Sequence, residues 1–258
     1  MPALPVSLVL LLTHFELKQA SGEFDVMFAG VEILASVALF HYCTWIIGPG
    51  IETPWDAVAY LGILVLSGLY VLLKPQPGGV KPLVLSLPKP GFEGVVMFPA
   101  MTLISLAVLW LAGHKPDPDW GGFGVDAAKY LALAAVQVIW LYLFLLPRLR
   151  RLATALPEES RALGNESVCL ALAAIFALNH LPNPLLMVCA GGISLVWTCA
   201  YLRYPNPYLL TLSHAVLASG YAHLLGGSTR VGPGFLNPGH HAFNNSLRLI
   251  TNLVNGVF

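Results

Sequence analysis

An all-α, polytopic membrane bundle is the fold class this sequence predicts, and three observations predict it. Of its 258 residues 57% are hydrophobic and only 10% charged, with a mean hydropathy of +0.73, a balance outside that of soluble globular domains. The apolar residues fall in runs of roughly 17 to 25, the length a helix needs to cross a bilayer. Prolines, glycines and most charges gather between the runs, where backbone leaving lipid can bond to water. The 13 basic and 13 acidic side chains cancel, so no global field favours nucleic acid or an acidic partner. The four cysteines, Cys43, Cys169, Cys189 and Cys199, lie inside apolar runs without CxxC spacing, which indicates neither a disulfide framework nor a zinc site.

The first segment, Pro2 to Leu12, is short and reads as a tilted, marginal span or as a segment lying at the interface. It has no basic residues before it and no small-residue cleavage site after it, so a removable signal peptide is not expected. Candidate spans follow at 26–48, 57–74, 95–113, 127–147, 165–181, 184–203 and 207–225, which with the first segment makes seven or eight. The last stretch, 242–258, mixes Asn244, Asn245, Arg248, Asn252 and Asn255 with apolar residues and reads as an amphipathic, docked helix. Residues 1–20 and 242–258 therefore either span the membrane or lie at its surface. Lys74, Lys81 and Lys89 mark one cytoplasmic loop and Arg148, Arg150, Arg151 and Arg161 another, while Glu52, Asp56, Asp117, Asp119 and Asp126 fall on the opposite side. Prolines in the connections, as in Pro182-Asn183-Pro184 and Pro205-Asn206-Pro207, cannot continue a helix. One integrated domain results: helices over 1–126, core helices over 127–225, and an extramembrane loop with the C-terminal helix over 226–258.

Ionisable groups at membrane depth are costly and mark candidate sites. Four qualify: Glu32, His41, His180 and His214. Glu32 is expected near the cytoplasmic end of its helix, within reach of water, and His41 among Phe40, Tyr42 and Trp45 as a hydrogen-bonded packing residue. His180 closes Phe176-Ala-Leu-Asn-His180 just before a Pro-Asn-Pro turn, and His214 follows the second such turn. Two histidines on neighbouring helices can hold a metal or a tetrapyrrole, or hydrogen-bond within the protein, and no carboxylate or cysteine completes a ligand set at recognisable spacing. The adjacent pair His240-His241 follows a glycine-rich loop that reads as a cap over the non-cytoplasmic end.

Over roughly 127–224, the FxxxH of Phe176 and His180, the small-residue helix Gly191-Gly192 to Arg203 and the turn and helix reaching His214 resemble the CPBP family. These are the CAAX prenyl endopeptidases and bacteriocin-processing enzymes, glutamate-dependent intramembrane proteases. The resemblance implies a paired-glutamate motif with an arginine four residues later, whose glutamate activates water, and an asparagine or aspartate four residues beyond the second histidine that holds the oxyanion. Aligning the family's Leu-Leu-Pro and basic patch with Leu145-Leu146-Pro147-Arg148 puts Gln137 and Val138 at the glutamate positions and Tyr142 at the arginine. Neither an amide nor valine takes a proton from water at neutral pH. Ala218 stands where the oxyanion donor belongs, and such a loss typically costs about 10²–10³ in rate.

The resemblance with these departures implies a catalytically degenerate site. The expectation is an accessory or scaffolding subunit of a bacterial inner membrane, surrounded by lipid and bound to a membrane protein, with no cofactor or metal and no nucleic acid. Two alternatives stand beside it. An active glutamate-dependent protease would use a displaced carboxylate from Glu158, Glu159 or Glu166 folding back to His180. A pigment- or haem-binding subunit would use His41, His180 or His214 as ligands.

Overall fold

The computed structural model describes residues 22–43, 45, 62, 92–113, 119–155, 164–229 and 231. The described elements are all helical: α1 (Gly22–Tyr42), α2 (Phe92–Gly113), α3 (Trp120–Val138), a π-helical stretch (Ile139–Leu145), α4 (Leu146–Thr154), α5 (Gly164–Leu178), α6 (Pro184–Arg203), α7 (Pro207–Gly220) and a second π-helical stretch (Tyr221–Leu225). Three helical stretches, Glu93–Gly113, Trp120–Thr154 and Pro184–Arg203, are long and apolar enough to cross a membrane; Val26–Tyr42 and Gly164–Leu178 are shorter apolar helices. These describe an all-helical membrane protein. The segments at 1–20, 57–74 apart from Gly62, and 242–258 fall outside the described residues.

The Trp120–Thr154 stretch has 35 residues, roughly 50 Å of helix against a hydrocarbon layer of about 30 Å. Its middle is π-helical because of Pro147. Proline lacks an amide proton and crowds the carbonyl four residues before it; the helix answers by widening one turn, and the Leu146 amide bonds to the Leu141 carbonyl instead of that of Tyr142. The chain then continues as helix through Arg148, Arg150 and Arg151. The basic segment expected as a loop is thus helix up to Thr154, a correction that follows from this tolerance of Pro147.

The two Pro-Asn-Pro turns form the same device. Asn183 and Asn206 each precede a helix and accept, through the side-chain oxygen, the amide of the residue three further on, Leu186 at 3.1 Å and Leu209 at 3.0 Å. Pro184 and Pro207 take the first helical position, where a missing amide proton costs nothing. At the far end of the second π-helical stretch Gly226 has φ 78°, a left-handed conformation that glycine enters freely. The peptide Leu181–Pro182 is cis.

Helix α7 packs against α3 and α2, α5 against α6, and α4 bridges α5 and α1. Where these meet lies the core, with Phe98, Leu141, Leu145, Leu172 and Leu210 fully enclosed. By contrast Leu103, Ile104, Val108 and Leu111 of α2 are exposed, as expected of a helix facing lipid. A hydroxyl pair, Thr102 Oγ1 and Ser213 Oγ at 2.6 Å, joins α2 to α7 within this apolar packing.

Candidate functional site

Helix α5 ends in a tightened turn. The His180 amide bonds to the Ala177 carbonyl at 2.9 Å, so the Phe176 carbonyl loses its normal partner four residues on. The His180 side chain replaces it: Nδ1 lies 2.6 Å from Phe176 O. A carbonyl only accepts, so Nδ1 carries a proton and donates it to the Phe176 carbonyl. The FxxxH spacing is therefore first a helix terminus, with the imidazole folded back one turn onto its own helix.

The Phe176 ring stands between the two histidines. Its centroid lies 4.6 Å from that of His180 and 5.5 Å from that of His214, edge-on to both. Trp197 of α6 closes the other side of His214 at 5.2 Å. Both imidazoles are buried, each 9% exposed. The structure thus brings Phe176, His180 and His214 into one cluster.

Sequence reasoning did not single out the adjoining face of α6. Ser194, Trp197, Thr198 and Tyr201 stand at i, i+3, i+4 and i+7 on one face of the helix, and all four are buried. The Thr198 hydroxyl donates to the Ser194 carbonyl at 2.7 Å, so the Tyr142 hydroxyl, 3.4 Å away, is left to donate to Thr198 Oγ1. The Tyr142 and Tyr201 rings lie 4.9 Å apart. Trp197 Nε1 and the Tyr201 hydroxyl are buried with no hydrogen-bond partner among the described residues, a costly state for a polar group. Polar residues recurring with helical period inside an apolar run are the signal that finds this face.

The remaining predicted residues fall into three groups. Gln137 and Ala218 are half-buried and Val138 is buried; Gln137 makes no hydrogen bond to either imidazole. Glu166 is exposed in the first turn of α5, and its 14-residue separation from His180 is roughly 21 Å along a helix axis. Glu158, Glu159, His240 and His241 lie outside the described residues. The ring contact of His41 is with Phe40, at 5.8 Å. Among the described residues no group of three or more His, Cys, Asp or Glu side chains can hold a metal ion.

Glu32 requires a correction. It sits in the middle of α1 with a side chain only 10% exposed, and its Oε2 accepts from Arg148 Nε at 2.7 Å. Arg148 is itself buried, donates through Nη1 to the Phe144 carbonyl at 2.8 Å, and places its guanidinium 3.7 Å over the Phe144 ring. An isolated carboxylate at this depth needs water; one neutralised by a hydrogen-bonded arginine does not. Comparison with protein-family models, curated proteins and solved structures found no match for this chain.

Proposed function

We propose that this chain is an integral membrane accessory or scaffolding subunit, a CPBP-like bundle of seven or eight spans in a bacterial inner membrane. In this reading its inherited protease site serves packing, and the bundle holds a membrane-protein partner. The observation that carries it is the use of Tyr142, at the position the resemblance gives to the family's arginine. That side chain is enclosed, hydrogen-bonded to Thr198 and packed on Tyr201. A group committed to the core in this way is unavailable to a substrate. Phe176 and Trp197 likewise fill the space around the imidazoles with rings.

The lipid-facing side of α6 supports a partner. Val188 and Val196 are exposed on either side of Gly192, and a Cβ built on Gly192 meets nothing within 4 Å. Small residues between apolar ridges allow close approach of another membrane helix. Mild solubilisation from the native membrane is expected to recover the chain in a defined complex with another membrane protein, and Gly192→Leu to disperse it while the chain stays folded. Recovery as an isolated chain would contradict the proposal.

A further inference from the structure

We propose that Cys169 and Cys199 are a redox-sensitive thiol pair that hydrogen peroxide converts to an intrachain disulfide stapling α5 to α6. The two sulfurs are 3.5 Å apart, with the Cys199 thiol donating to Cys169 Sγ. Cys169 is buried and Cys199 is exposed, so one sulfur is open to a small oxidant while its neighbour is shielded. A disulfide places sulfurs about 2.05 Å apart, about 1.5 Å closer than here. The helices that carry them are antiparallel neighbours in close contact, since a Cβ at Gly191 of α6 would lie 3.2 Å from Ala177 Cβ of α5. Rotation of the two side chains supplies the remaining approach.

Depth also favours the pair. Cys169 follows Glu166 by three residues and Cys199 precedes Arg203 by four, about 4.5–6 Å along the helix axes from those charges. A water-borne peroxide therefore reaches them without crossing the bilayer. Cys189 lies ten residues from Cys199 on the same helix, roughly 15 Å away, and cannot compete for it.

The chemistry balances with peroxide as the only added reactant. The deprotonated Cys199 sulfur attacks one peroxide oxygen, the O–O bond breaks, and the departing oxygen leaves as water after taking a proton, giving a sulfenic acid. Cys169, giving up its proton, attacks the Cys199 sulfur; the S–S bond forms, the S–O bond breaks, and a second water leaves. Two thiols lose two electrons in total and one peroxide gains them. Closure fixes α5 and α6 together at the end remote from the His180 turn.

The test uses the full chain in mild detergent, treated with hydrogen peroxide, alkylated and digested without reduction. Peptide mass spectrometry is expected to show the Cys169 and Cys199 peptides joined, two of the four thiols lost to titration, and both restored by dithiothreitol. Cys169→Ser should abolish the joined peptide, and the unaltered chain decides the matter even if that variant folds poorly. Cys199 appearing as sulfinic acid with Cys169 still reduced, both thiols remaining free, or a disulfide joining two chains would each overturn the proposal.

Discussion

Replacing Arg148 with alanine lowers the stability of the bundle by about 3–5 kcal/mol, because it breaks an enclosed, hydrogen-bonded ion pair with Glu32. The pair joins α1 to α4 across 116 residues of sequence, so the loss falls on the attachment of the N-terminal helix. Arg148→Lys recovers part of it: an ammonium can meet the carboxylate but cannot also lie flat over the Phe144 ring and reach its carbonyl. Replacing both partners with apolar residues of similar volume, Glu32→Leu with Arg148→Met, restores stability to within about 1 kcal/mol or exceeds the original, since removing both charges also removes their desolvation cost. Unfolding in a mixed detergent series reads all three variants. A single Arg148→Ala variant as stable as the parent would show that the pair contributes nothing.

Trp197→Ala costs on the order of 2 kcal/mol. In a water-soluble core the same truncation costs about 3–5 kcal/mol; where the unfolded helices remain in lipid, the transfer of apolar surface out of water drops out and the lost packing remains. Trp197 is 2% exposed and lies against His214, so alanine there leaves a void and frees the imidazole. Trp197→Phe behaves differently. The indole nitrogen has no partner among the described residues, and phenylalanine keeps most of the ring while removing that donor, so stability changes by less than about 1 kcal/mol. Comparison of the two variants in one unfolding series checks the assignment. Equal losses would mean that Nε1 is bonded after all.

Much of the helical layout was legible, because lipid leaves the backbone few choices and the apolar runs with their proline boundaries record them. The spans read at 184–203 and 95–113 correspond closely to α6 and α2. The error at 148–151 has a physical cause: arginines signal an exit from lipid and proline a break, yet the widened turn before Pro147 lets the helix continue through that exit, where Arg148 meets the enclosed Glu32. Glu32 was read as water-accessible because its partner lies far away in sequence. His180 and His214 were visible as polar residues out of place, whereas the Ser194–Tyr201 face was hidden because tyrosine, tryptophan and threonine are common in apolar helices. A pairing such as Tyr142 with Thr198 depends on which faces meet, and that is a tertiary fact.

The proposal that the imidazole cluster is a packed remnant rather than a working site is tested most directly by peptide cleavage. The purified chain, reconstituted in lipid with transmembrane test peptides, is predicted to leave every peptide intact, with no difference between the parent and His180→Ala. Cleavage by the parent that His180→Ala abolishes, in a variant that still unfolds cooperatively, would contradict it and return a displaced carboxylate to the site.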